Sequence, residues 1–152
     1  MGDQPIRPTA DGDHGAIASL IYGYAERIDA GDLAGVAELF ADAVYRSDRG
    51  GRYEGAAAVL EVLTRLVKLH ADGTPRTRHV TTNLVVEVDG AAGTAVARSY
   101  FTVLQQSPAI PLQTIVAGRY HDRFVRIDGR WRFAERLVYM DLVGDLSDHL
   151  RT

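Results

Sequence analysis

Cysteine is absent from the 152-residue chain, which excludes disulfides, thiolate metal ligands and cysteine nucleophiles and leaves a reducing cytosol as the default compartment. Nowhere do apolar residues run together for the roughly 18 positions a membrane helix needs, and the polar stretch from Met1 to Asp13 has no apolar signal core. Also missing are the Gly-x-Ser-x-Gly elbow, the Gly-x-x-x-x-Gly-Lys phosphate loop, His-Glu-x-x-His and the dinucleotide fingerprint. No metal and no bound cofactor are therefore expected. Charge of one sign is scarce: the formal net charge is -3, too small for broad attraction to phosphate backbones or anionic lipid. Arg119, Arg123, Arg126, Arg130 and Arg132 gather in one hairpin but alternate with acidic neighbours, which favours a solvated face over a nucleic-acid patch. The expectation is a cytoplasmic protein with neither nucleic acid nor membrane as partner.

What is present is the composition of one ordinary domain, 46% hydrophobic and 24% charged, at a length that buries about 70% of the unfolded surface. Ile17, Leu20, Ile21, Tyr24, Ala25 and Ile28 draw one apolar stripe along a helix, with Asp13 as its N-cap and Gly31 just past its end. Asp32 then caps a shorter helix through Leu33, Val36, Ala37 and Phe40. An extended piece at 43–46 and a glycine loop at Gly50 and Gly51 lead to a third helix, Gly55 to His70. From Thr77 the period becomes that of strands: Thr77 to Val88, Thr94 to Gln105, Leu112 to Ile127 and Trp131 to Leu142, with Asp-Gly turns at 89–90 and 128–129. Strands this long must twist and bulge. The expected architecture is α+β, a cone-shaped barrel in which the N-terminal helices pack on a curved antiparallel sheet. Residues 1–11 are expected to be flexible, 12–145 to form the domain, and 146–152 to be a tail whose Leu146 and Leu150 suit a last helical turn or a loose end.

Four side chains stand out for chemistry. Asp29 is a carboxylate in the last turn of a helix, unfavourable there by about 0.3–1 kcal/mol, so another group should hold it; the alternative is a solvated turn residue. His79 shares a strand face with Thr81, Asn83 and Val85, while Val80, Leu84, Val86 and Val88 take the other. A polar face within a sheet calls for a cavity, and an imidazole there is a general base that needs a second group to fix its tautomer. Tyr24 is either a hydrogen-bond donor to a substrate oxygen or core packing. Arg136, mid-strand, must be paired if buried, with Asp122 as one candidate partner. Tyr45, Tyr100 and Asn83 are candidates for pocket lining only.

Five local stretches resemble one superfamily. The run from Tyr24 to Asp32 followed by Leu39 and Phe40, the Arg52-Tyr53-Glu54-Gly55 stretch before the third helix, and the strands Arg78 to Asn83, Gly118 to Asp122 and Asp128 to Phe133 are similar to the nuclear-transport-factor-2-like superfamily, in its SnoaL-like branch of polyketide cyclases, scytalone dehydratases and bile acid dehydratases. The resemblance covers roughly 12 to 145. It implies a cofactor-independent lyase or isomerase acting on a hydrophobic cyclic small molecule such as a polyketide, steroid or aromatic intermediate. His79 and Asp29 would form its His-Asp dyad, with Tyr24 and Arg136 stabilising the oxygen or leaving anion. It also implies a homodimer through the outer sheet face, for which Tyr100, Leu104, Phe124 or Trp131 are candidate contacts. The same resemblance leaves open a non-catalytic ligand-binding or accessory role, as in the small subunit of ring-hydroxylating dioxygenases.

Overall fold

The computed structural model describes residues 12–151, so the segment expected to be flexible, 1–11, lies outside the described residues. Three helices, α1 (Gly12–Asp29), α2 (Leu33–Glu38) and α3 (Ala56–Leu66), pack on a single sheet of β1 (Val44–Ser47), β2 (Arg52–Glu54), β3 (Thr77–Asp89), β4 (Thr94–Gln105), β5 (Gln113–Ile127) and β6 (Arg130–Val143). The spatial order is β2-β1-β6-β5-β4-β3. All pairings are antiparallel except β1 with β6, which run parallel. The sheet is curved and unclosed.

The apolar stripe of α1 does what its spacing predicts: Ile17, Ile21, Tyr24, Ala25 and Ile28 are all buried against the sheet. Gly31, at φ +77°, ends the helix; a Cβ there would lie 2.0 Å from the Gly73 carbonyl oxygen, so no other residue fits. Asp32 caps α2 by accepting a hydrogen bond from the Gly35 amide at 2.9 Å. Asp13 is not a cap. It lies inside α1, where its carboxylate accepts the Trp131 indole N–H at 2.9 Å.

The expected bulges are present, at Thr82/Val85, Val103/Leu104, Ala117/Gly118 and Arg123/Phe124. One of them changes the face assignment on β3. Asn83 takes the left-handed conformation, φ +54°, and adds a residue to the strand. His79 and Thr81 therefore share the inward face with Leu84, Val86 and Val88, while Asn83 and Val85 turn outward. α3 stops at Leu66, four residues earlier than its apolar pattern suggests, because Val67 is extended and bridges Leu150. Residues 52–54, expected as loop, form β2 with β1 across the turn at Gly50 and Gly51. Of the residues expected on an outer apolar face, Phe124 and Trp131 are buried in the core instead, and Tyr100 is 52% exposed. Three of the five hairpin arginines are paired with acidic residues: Arg119 with Asp141, Arg123 with Glu135 and Arg132 with Asp42. No helix among the described residues is long and apolar enough to cross a membrane.

Candidate functional site

The end of α1 meets the start of β3, and that junction brings Asp29 and His79 together. Asp29 Oδ1 accepts from the Thr77 hydroxyl at 2.8 Å and lies 2.6 Å from His79 Nδ1, while Oδ2 accepts the backbone N–H of His79 at 2.8 Å. Both side chains are nearly buried, with 8% exposure for His79 and 10% for Asp29. Burial pushes the Asp29 carboxyl up, but the hydrogen bonds and charge of His79 and the Thr77 hydroxyl outweigh it and hold the carboxyl below its ordinary value of 3.8. These bonds supply what the unfavourable end of the helix dipole withholds. An ionised carboxylate has no proton to give, so Nδ1 is the donor, and in the neutral ring the basic lone pair is on Nε2.

His79 lines a cavity of about 310 Å³ between the helices and the inner face of the sheet. Apolar wall comes from Ile28, Leu63, Val67, Phe101 and Val116; polar groups come from Tyr24, Tyr45, Tyr53, Tyr120 and His149, with Ser47 and Arg49 also on the wall. The Tyr24 and Tyr45 hydroxyls are hydrogen-bonded to each other at 3.1 Å. Burial, then the proximity of Tyr24, raises the Tyr45 and Tyr120 phenols well above their usual value, so both stay protonated. Asp29 and His79 also border a wider polar depression of about 770 Å³ with Glu26, Asp72, Arg76 and Arg78.

Arg136 is placed differently from the other three. It is 0% exposed and does not line the cavity. Its Nε and Nη2 donate to the two oxygens of Asp122 at 2.8 and 2.9 Å, and its guanidinium lies 3.7 Å from the Tyr120 ring centroid and 4.3 Å from that of Tyr24. Burial acts to lower the guanidinium pKa, but the Asp122 carboxylate raises it above its ordinary value, while burial lifts Asp122 against the opposing charge of Arg136. The cation thus stands behind two tyrosines that do face the cavity. Tyr24 is both core and lining, and Tyr45 lines the cavity as expected; Tyr100 and Asn83 face outward and do not.

Sequence reasoning passed over His149, Tyr53 and Tyr120 as lining residues. The segment after β6 is not a loose end: it makes a single helical turn, in which the Leu150 N–H donates to the Leu146 carbonyl at 2.9 Å. Lys68 N–H donates to the His149 carbonyl at 2.8 Å, Arg151 N–H to that of Leu66 at 2.7 Å, and Gln105 Nε2 to that of Asp148 at 3.0 Å, which lays Leu146, His149 and Leu150 against the cavity. The helical spacing of Leu146 and Leu150 was the sign of that turn in the sequence.

Residues 12–137 match the family described as SnoaL-like domain. Among solved structures, the chain is similar to a variant of Rv3472, a protein of unknown function from Mycobacterium tuberculosis, at 29% identity and TM-score 0.72 over 92% of this chain and 79% of that one. It is similar to an NTF2-like protein with a cystatin-like fold from Novosphingobium aromaticivorans at 25% identity and TM-score 0.71, covering 85% and 82% of the two chains. ActVI-ORFA from Streptomyces coelicolor shares the fold at 22% identity and TM-score 0.69, over 86% of this chain and 98% of that one. No curated protein sequence matches.

Proposed function

The chain belongs to the SnoaL-like domain family, and from that membership we propose a cofactor-independent lyase or isomerase that removes a proton from carbon beside a carbonyl in a hydrophobic cyclic molecule. The observation that carries the proposal is the Asp29 to His79 contact of 2.6 Å with the imidazole in the wall of a largely apolar cavity. His79 Nε2 takes the proton; the C–H electron pair moves into an enolate whose charge rests on oxygen. Asp29, ionised, stabilises the imidazolium and holds the ring so that Nε2 faces the substrate. Of the Tyr24 and Tyr45 hydroxyls, the one that accepts their mutual bond keeps its own proton free and donates to that oxygen. The imidazolium then returns its proton, to a departing β-hydroxyl as water in a dehydration or to another carbon in an isomerisation. Arg136, outside the wall, acts as a positioning residue that holds the rings of Tyr24 and Tyr120.

The test needs no native substrate. One- and two-ring ketones are incubated in D2O with the protein, and exchange of the hydrogen beside the carbonyl is followed by NMR. Exchange that falls about 10²–10⁴-fold in His79→Ala, with the fold retained, is the expected result. Exchange that survives the substitution refutes His79 as base. A panel that binds without exchanging favours a ligand-binding module built on the same cavity.

A further inference from the structure

His149 is a cavity residue to which the proposed reaction assigns no part. It is 6% exposed, lines the cavity with His79, and its ring centroid is 6.1 Å from that of His79 at an interplanar angle of 65°. Burial, and then the charges of His79 and His70 against the opposing Asp29, push its pKa down to about 4, so near neutral pH the ring is uncharged. An uncharged imidazole has one N–H and one lone pair. Nδ1 is sealed from solvent without a hydrogen-bond partner. A buried N–H left unpaired is the rarer and costlier defect, so the proton belongs on Nε2 and Nδ1 keeps the lone pair. Among the described residues nothing bonds Nε2, which is the nitrogen left for an occupant of the cavity.

The two histidines then present opposite tautomers to one space. His79, with its proton on Nδ1 toward Asp29, offers a lone pair; His149, with its proton on Nε2, offers a donor. That is the pairing an enolisation needs, a base for the carbon-bound proton and a neutral donor for the oxygen on which charge develops. The volume sets the size. About 310 Å³ lies at the small end of the roughly 300–1,000 Å³ usual for ligand pockets, which suits one ring or two fused rings.

We propose that His149 Nε2–H contacts the substrate's carbonyl oxygen, in a molecule no larger than about two fused rings. The proposal deepens the enolisation reading and rests on His79 as its base. It makes the segment after β6 a part of the site: Asp148 is held by Gln105 and by the Ser107 hydroxyl, and these anchors fix the neighbouring His149 over the cavity.

Two measurements on the full chain test it. Nitrogen NMR of the imidazole rings is expected to find His79 as the Nδ1–H tautomer and His149 as the Nε2–H tautomer at neutral pH. Calorimetry with α-tetralone and with tetralin, the same two-ring skeleton with and without the carbonyl, is expected to give about tenfold tighter binding of the ketone, the scale of one net hydrogen bond. His149→Leu should bring the two within about twofold, and His149→Gln, which keeps an N–H donor, should restore most of the preference. A His149 ring that is protonated or carries its proton on Nδ1 overturns the assignment, and decides the matter if the Leu variant does not fold. An undiminished ketone preference in folded His149→Leu overturns it as well. If α-tetralone exchanges its hydrogen in a His79-dependent way while that preference survives, this inference fails and the base reading stands. If the preference depends on His149 but no exchange occurs, the base reading fails and His149 remains a ligand contact. Absence of binding by either compound removes the size assignment.

Discussion

Asp29→Asn converts a carboxylate with two acceptor oxygens into an amide with one acceptor and one NH2 donor, and the hydrogen bonds around it leave a single orientation. The backbone N–H of His79, 2.8 Å from Oδ2, donates and cannot accept, so the amide oxygen must take the Oδ2 place. The NH2 then occupies the Oδ1 place, facing the Thr77 hydroxyl, which can turn to accept, and His79 Nδ1, 2.6 Å away in the wild type. Nδ1 can receive that N–H only as a lone pair, which moves the ring proton to Nε2 and blocks the base. Hydrogen exchange should fall about 10²–10⁴-fold. Stability should fall by only about 1–2 kcal/mol, since charge-assisted bonds are replaced by neutral ones rather than lost. The acid limb of stability should change too. The wild-type carboxyl is held below its unfolded value of 3.8, so its contribution is fully present above that pH and is lost as pH falls through the lower folded pKa. The variant has no such titration and should show a flatter loss of stability below about pH 4. Imidazole nitrogen NMR, the exchange assay and urea unfolding at several pH values read these outcomes separately. A variant that keeps its proton on Nδ1, or exchanges within about threefold of wild type, refutes the reasoning.

Arg136→Met strands the Asp122 carboxylate in the core and should destabilise by about 3–5 kcal/mol, while Arg136→Met with Asp122→Leu should recover most of that; a double variant no more stable than the single would show that the pair is not the reason. Gly118→Ala puts a Cβ 1.8 Å from the Tyr139 carbonyl oxygen and 2.9 Å from the Phe101 ring, so it should cost at least about 3 kcal/mol, and an unchanged melting temperature would contradict the close approach of β5 and β6 at that bulge.

The helical stripe of α1, the Gly31 and Asp32 punctuation and the four long strands were legible because each is written in local periodicity or turn chemistry. The misassigned face of β3 was not. A strand read with period two assigns every residue beyond Asn83 to the wrong side once one residue is added, and the tolerance of asparagine for the left-handed conformation, the one local sign of the bulge, does not by itself break a strand pattern. Asp29 and His79 were legible as a pair only through resemblance, since 50 residues separate them. The place of Arg136 turned on its 0% exposure and on the facing Asp122, a long-range property that spacing alone leaves open. His149 escaped notice because its segment holds only a single helical turn, which does not say what it packs against. Its burial comes from backbone hydrogen bonds to Lys68 and from side chains such as Gln105, partners that no pattern along residues 144–151 encodes.

That short segment separates two kinds of placement within one site. Asp29 and His79 sit on α1 and β3, whose register is tied to the whole sheet, so their relative placement is set by the fold. The stretch carrying Leu146, His149 and Leu150 is fastened by a handful of hydrogen bonds to the end of α3 and the end of β4, and pairs with the sheet nowhere beyond the Gly144 contact to Ile115. Substitutions or length changes there can reshape the chamber without re-registering a strand. A few residues of this stretch can thus redraw one wall of the chamber while the contact between Asp29 and His79 on α1 and β3 stays where the sheet puts it.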